Sequence, residues 1–199
     1  MAAYPFTNKS MKRILLAVII TLCGAQRIWA QQLAVGTDVL MDVLMMPNIS
    51  LEMDLGRSHF MERTTLGGQA YFVKNPWGKE ISAWGVQPEL RHYFSGRAMS
   101  RWFFGIGAHL SKYDITWGRE IYRGNSAGAG LTFGYVFNLT KRLNIDVHSG
   151  FGINYYRQKQ YFTGDFFETE YNHGMATANA RGTVIMPTRM GVSVTYIFK

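Results

Sequence analysis

Three side chains of the types that hydrolytic enzymes use lie close together in the sequence: His109, Ser111 and Asp114. A serine nucleophile, a histidine base and an orienting acid within hydrogen-bond reach could cleave an ester bond of a lipid. Neither a Gly-x-Ser-x-Gly sequence nor another nucleophile motif surrounds Ser111, so the local pattern gives this chemistry little support. We therefore expect polar packing here and no enzyme, and keep a lipid-modifying enzyme as the less favoured alternative.

A larger set of charged side chains falls on the polar faces of the strands described below. We expect these acids and bases to share a narrow interior, where isolated charges would be costly and must pair and form hydrogen bonds. A proton or ion pathway is the alternative, which a packed interior disfavours. The predicted interior polar network comprises Asp38, Asp42, Glu52, Asp54, Glu89, Arg91, His109, Asp146, His148 and Arg189.

Metal and cofactor chemistry is not predicted. No set of His, Asp and Glu residues has the spacing of metal ligands. The glycine-rich stretch 124–134 lacks the Lys-Ser/Thr ending of a phosphate loop, and its glycines alternate with larger residues. That alternation indicates one face of a strand.

Hydrophobic alternation defines the elements that must position these side chains. In residues 143–155 the odd positions are mostly apolar, whereas the even positions are polar or glycine. A period of two indicates a β-strand with one apolar face. The same pattern predicts eight strands and no helix: 101–110, 127–138, 143–155 and 189–198 clearly, and 33–44, 48–56, 63–73 and 82–94 more weakly.

The predicted connections between these strands fall into two length classes, as in barrels that cross a membrane. Short turns are expected around residues 57–58, 95–97 and 140–142, and longer loops near 74–81, 116–123 and 158–187. The short connection Met46-Pro47-Asn48 should lie on the long-loop side and fits this scheme least well.

The composition of the two strand faces distinguishes a membrane barrel from a soluble one. The polar face is largely Gly, Ser, Thr and Asn, which suits a crowded interior, whereas a soluble barrel would expose Lys and Glu. We predict an all-β fold, an eight-stranded antiparallel up-and-down transmembrane β-barrel, with a soluble periplasmic lipocalin-like binding barrel as the alternative. Aromatic residues near strand ends suit the bilayer interfaces: Trp84, Phe94, Trp102, Phe137, Tyr155, Tyr196 and Phe198.

The N-terminus has the features of a secretory signal peptide. Lys12 and Arg13 precede an apolar run at residues 14–22, and Ala30 supplies a small residue for cleavage. The run is much shorter than the roughly 20 residues that a membrane helix needs. We predict a signal peptide at residues 1–30 and one barrel domain at 31–199; the translation start, Met1 or Met11, stays open.

Cleavage after Ala30 would also change the chemistry of the chain. It would remove Cys23, the single cysteine, and so exclude disulfides and a cysteine nucleophile. Seventeen basic and 13 acidic residues would remain, a net charge of +4. The basic residues are scattered rather than clustered, so nucleic acid is not a predicted partner.

The longest predicted loop, 158–187, is the candidate interaction surface. Exposed aromatic residues suit binding. The alternative is that the strands extend beyond the membrane as a hairpin in which these residues pair. The candidate surface residues are Tyr161, Phe162, Phe166, Phe167 and Tyr171.

A set of short sequences spread along the mature chain forms a recognisable pattern: residues 39–42, 46–52, 112–114 and 128–137, the sequence Glu89-Leu90-Arg91-His92-Tyr93-Phe94, residues 140–145 and Pro187-Thr188-Arg189. Through these sequences nearly the whole mature chain resembles the domain-of-unknown-function 3575 family. The resemblance implies a small exported outer-membrane barrel of Bacteroidetes-type bacteria, often associated with fimbrial or surface-assembly genes, and no established activity. The expected partners are membrane lipid and lipopolysaccharide, the barrel-assembly machinery and surface or fimbrial proteins, with the chain itself monomeric.

Overall fold

The structure, a computed structural model, describes residues 32–56, 63–162 and 180–198. The predicted signal peptide, residues 1–30, lies outside the described residues. Eight strands form one antiparallel sheet in chain order, and β1 also pairs with β8, so the sheet closes into a barrel. The strands are β1 (Leu33–Asp38), β2 (Asn48–Asp54), β3 (Thr64–Lys74), β4 (Ile81–Tyr93), β5 (Arg101–Trp117), β6 (Glu120–Asn138), β7 (Leu143–Phe162) and β8 (Ala180–Phe198).

The strands of this barrel are strongly staggered. Following paired residues once round the sheet from Leu33 leads to Pro187 on β8, whereas Leu33 itself pairs with Phe198, 11 residues further along. Such a stagger requires strands that tilt against the barrel axis. Eight tilted strands enclose an interior just wide enough for side chains, which brings the inward-facing residues of opposite walls into contact.

The two faces of the sheet have the opposite character from those of a water-soluble protein. On β4, Gln87, Glu89 and Arg91 point inward and are buried, while Trp84 and Leu90 point outward and are exposed. The same inversion holds along the other long strands, as the alternation predicts. In the described part of the chain, no helix is long and apolar enough to cross a bilayer.

One predicted strand is shorter than expected. The prediction of 33–44 as a strand was wrong beyond Asp38, because residues Val39–Val43 form the short helix α1. Asp38 causes the change: its Oδ1 accepts the backbone N–H groups of Leu40 at 2.9 Å and Met41 at 3.2 Å. These are the bonds of a helix N-cap, which ends the strand and starts the helix.

Two predicted loops are largely strand. Residues 118–119 alone join β5 to β6, with Gly118 in the left-handed region at φ 65°, so the predicted loop 116–123 was wrong. The predicted loop 158–187 was also too long, since β7 continues to Phe162 and β8 begins at Ala180; residues 163–179 lie outside the described residues. Outward positions such as Lys112 and Asp114 are polar there, so hydrophobic alternation fades although strand pairing continues.

The connections predicted near 74–81, 95–97 and 140–142 are confirmed, and the turn predicted at 57–58 lies outside the described residues. A short 3-10 helix, Pro76–Gly78, lies between β3 and β4 within the predicted loop 74–81. The turns after β4 and β6 lie at the end of the barrel that also holds the start of β1 and the end of β8. We call this the lower end, and the end with residues 118–119 the upper end.

Candidate functional site

The centre of the barrel holds a cluster of paired charges around Arg91. Its Nε donates to Glu89 Oε2 at 2.8 Å and its Nη1 donates to Asp146 Oδ2 at 2.7 Å. The same Nη1 lies 3.4 Å from Glu52 Oε2. The three carboxylates come from β2, β4 and β7, so Arg91 connects walls that are distant in sequence. Its side chain is only 6% exposed, which makes this a buried ion-pair network.

The carboxylates of Glu89 and Glu52 have further partners. Arg189 on β8 and the hydroxyl of Thr132 on β6 both donate to Glu89. Glu52 Oε1 accepts the hydroxyls of Thr65 and Tyr93, each at 2.6 Å. Charge-assisted bonds of this kind offset the loss of water around a buried carboxylate.

His148 extends the cluster toward α1. Its ring lies between two carboxylates, with Nε2 3.4 Å from Asp38 Oδ2 and Nδ1 3.5 Å from Asp146 Oδ1. The imidazole is completely buried. Gly191 on β8 makes room for this arrangement, because a Cβ there would lie 1.8 Å from Asp38 Oδ2. Asp38 therefore joins the helix cap to the charge cluster.

The cluster fills the barrel at this level. The cavity bounded by Glu52, Glu89, Arg91 and Asp146 has a volume of about 20 Å³, which is room for a single water molecule. Two arginines face four carboxylates, and hydroxyl or backbone N–H groups also donate to Glu52, Glu89 and Asp38. Among the described residues, Asp38 Oδ2 and Asp146 Oδ1 accept no hydrogen bond and face the His148 ring instead. Such a network holds opposite walls in one register, and it leaves little space for an aqueous pathway.

An apolar plug closes the barrel below the charges, and the sequence analysis missed it. Residues 94–100 fold back so that Ala98 and Met99 are buried with Tyr93 and Phe103. The Met99 carbonyl accepts the side-chain amides of Asn138 at 3.1 Å and Asn144 at 3.0 Å. The sequence signal was weak: an Ala-Met pair between the predicted turn 95–97 and the strand predicted from residue 101.

Three predicted members lie outside the charge cluster: Asp42, Asp54 and His109. Asp42 was wrongly predicted to face the interior; it lies exposed on α1, where it accepts bonds from Thr37 at 2.6 Å and Asn48 at 3.0 Å. The cause is the helix, which ends the alternation on which the prediction rested. Asp54, at the end of β2, accepts the backbone N–H of Gly56 at 3.0 Å and contacts no member of the cluster among the described residues.

The three residues considered for hydrolysis are each bonded to a different partner. His109 Nε2 donates to Asn154 Oδ1 at 2.8 Å, and the Ser111 hydroxyl lies 2.7 Å from that of Ser126. Asp114 accepts a bond from Arg123 at 2.8 Å on the outer surface. The geometry thus brings His109 into the polar interior without joining it to Ser111 or Asp114. Within the described ranges, no group of three or more His, Cys, Asp and Glu side chains could hold a metal ion.

Two of the candidate surface residues belong to a strand. Tyr161 and Phe162 are the last residues of β7 and pair with Ile121 and Glu120 on β6, which agrees with the alternative of extended, paired strands and not with a loop at these two positions. Their side chains alternate, with Tyr161 buried and Phe162 exposed. The other three, Phe166, Phe167 and Tyr171, lie outside the described residues.

Comparison with known proteins gives a match to a family model. A family model described as "Protein of unknown function (DUF3575)" matches residues 14–198. No curated protein and no solved structure matches the chain. The match covers all eight strands, and its description states no activity.

Proposed function

The chain belongs to the DUF3575 family, and from its geometry we propose that it is an exported outer-membrane β-barrel with a closed interior and a structural or surface-interaction role. The proposal includes removal of residues 1–30 as a signal peptide during export.

The observation that carries the proposal is the belt of apolar side chains on the outside of the barrel. Leu131, Phe133 and Ile153, for example, are each at least half exposed, although the interior at the same level is charged. A water-soluble monomer rarely exposes an apolar surface that runs round the whole molecule. An outward apolar band around a polar interior is typical of barrels in lipid. Closure of the sheet also pairs β1 with β8, and a bilayer does not tolerate an open sheet edge.

Aromatic side chains at the lower end support the same proposal. Trp102 and Tyr135 stack edge to face with ring centroids 4.9 Å apart, and Tyr196 and Phe198 do so at 5.0 Å. Phe137 continues the group, 4.6 Å from Tyr135. Rings at one level of the outer wall are the pattern expected where the bilayer meets water.

The role proposed for the barrel follows from its filled interior and its long upper strands. The buried charge cluster and the apolar plug favour a structural role over a pore. β5 to β8 have 17 to 20 residues, more than the roughly 9–11 that a tilted strand needs to cross a bilayer. We propose that their upper parts project from the cell and meet lipopolysaccharide and surface or fimbrial proteins, after insertion of the chain by the barrel-assembly machinery.

Cell fractionation tests the proposal. We expect the mature chain in the outer-membrane fraction, running as a compact band on unboiled gels that shifts on boiling, and no stable channel in planar bilayers. Recovery from the soluble periplasm would instead favour the lipocalin-like binding barrel. A large steady conductance would contradict the closed interior.

A further inference from the structure

Three cations form a row on the outer wall near the upper end. Lys112 on β5, Asn125 on β6, Arg157 on β7 and Arg181 on β8 follow one another in the strand register. The three basic side chains continue the outward face and are exposed. We call Lys112, Arg157 and Arg181 the basic row.

The described part of the chain supplies no counter-charge to the basic row. Arg157 and Arg181 are directly paired on neighbouring strands, and like charges in that position destabilise a sheet. Asp114, the acid nearest in sequence to Lys112, is paired with Arg123. Among the described residues, no carboxylate forms an ion pair with any member of the row. An external anion would remove this repulsion, and a guanidinium binds phosphate oxygens two at a time.

Apolar side chains lie directly below the basic row on the same face. Ile153 on β7 pairs with Ile185 on β8, and the two are 57% and 77% exposed. They lie four residues below Arg157 and Arg181, a distance of about 13 Å along the strand. The wall therefore offers positive charge above and apolar surface beneath, which matches an amphiphile better than a free anion.

We propose that the basic row binds the phosphate headgroup of a membrane lipid whose acyl chains lie against Ile153 and Ile185. Lys112 and Arg157 are two strands apart, roughly 10 Å, so the row can contact a headgroup that carries more than one phosphate. The inference rests on the proposed function, because only a barrel in a bilayer presents this wall to lipid.

Lipid selectivity tests this inference. The full mature chain, folded in detergent micelles, is mixed with phosphatidic acid and phosphatidylcholine, and the retained lipid is measured by native mass spectrometry. We expect preferential retention of phosphatidic acid, and about a tenfold loss of that preference in the double variant Arg157→Gln/Arg181→Gln, because charged hydrogen bonds to phosphate are lost. The matched control is Arg97→Gln/Arg142→Gln at the lower end, which should keep the preference.

Four outcomes would overturn the inference. An unchanged preference in Arg157→Gln/Arg181→Gln would show that the basic row does not hold the headgroup. Displacement of phosphatidic acid by equimolar inorganic phosphate would show that phosphate alone is recognised, without the lipid. A chain that folds in micelles yet shows no preference contradicts this inference only, whereas a chain that stays soluble without lipid contradicts the proposed function as well.

Discussion

At the scale of single residues, the charge cluster shows which contacts alternation can predict. Glu89 and Arg91 lie two apart on β4, so the sequence indicates that both face the interior. Their contact with each other, Nε to Oε2 at 2.8 Å, follows from that spacing. The contact of Arg91 with Asp146 does not follow from spacing. These two residues are 55 apart in the chain, and only the register of the strands brings them together.

Replacing Arg91 by Leu tests the cluster. The change would leave Asp146, Glu52 and part of Glu89 without their cation in a buried site. Removing one partner of a buried pair costs about 3–5 kcal/mol, so we expect a loss of that size in the free energy of unfolding, measured in urea from lipid vesicles. Arg142→Leu, on the exposed turn after β6, is the control and should change stability by less than about 0.5 kcal/mol. Equal effects of the two changes would argue against a paired, buried Arg91.

Asp42 shows the limit of the same reasoning. Its position would face the interior if β1 continued to residue 44, as the alternation alone suggests. What ends the strand is Asp38, whose carboxylate caps α1 and also faces His148. The cap bonds are local, to the backbone of Leu40 and Met41, so hydrophobic periodicity does not reveal them although an N-cap signal at Asp38 could.

At the scale of elements, the strands of the barrel wall differ greatly in length. β1 and β2 have six and seven residues, whereas β5 to β8 have 17 to 20. β1 reaches only Ser193 on β8, and α1 packs beside β8 at that level. The sequence predicts the existence and order of all eight strands. The sequence did not predict how far the strands extend at the upper end. Outward residues there are often polar, so apolar and polar positions no longer alternate and the pattern that indicates a strand is lost.

The turn at residues 94–100 is the element whose role the sequence concealed. Met99→Ala should open a cavity beneath the charge cluster and lower the free energy of unfolding by about 2–5 kcal/mol. Met45→Ala is a close control, because Met45 also has a positive φ, 57° against 55° for Met99, but is 51% exposed. We expect less than about 0.5 kcal/mol for it. Similar losses from both would mean that Met99 does not help to close the lower end.

At the scale of the whole molecule, the distribution of polarity is the inverse of a soluble fold. The sequence already indicates this inversion, because the polar strand faces are largely Gly, Ser, Thr and Asn with occasional charges, whereas a soluble barrel would carry many Lys and Glu residues on its outer face. The closed sheet and the exposed outer belt agree with that indication. The family match adds no activity, so the central claim is physical: the outer belt is in contact with lipid.

Spin-label accessibility tests that claim most directly. Residues 31–199 contain no cysteine, so single cysteines at Leu131 and Ile153, and at Arg119 in the upper turn, can each be labelled specifically in protein reconstituted in vesicles. Oxygen concentrates in the bilayer and a nickel chelate stays in water. We predict that labels at Leu131 and Ile153 collide mainly with oxygen, and that the label at Arg119 collides mainly with the chelate. Equal access of the chelate to all three positions would contradict a barrel whose apolar belt lies in the membrane.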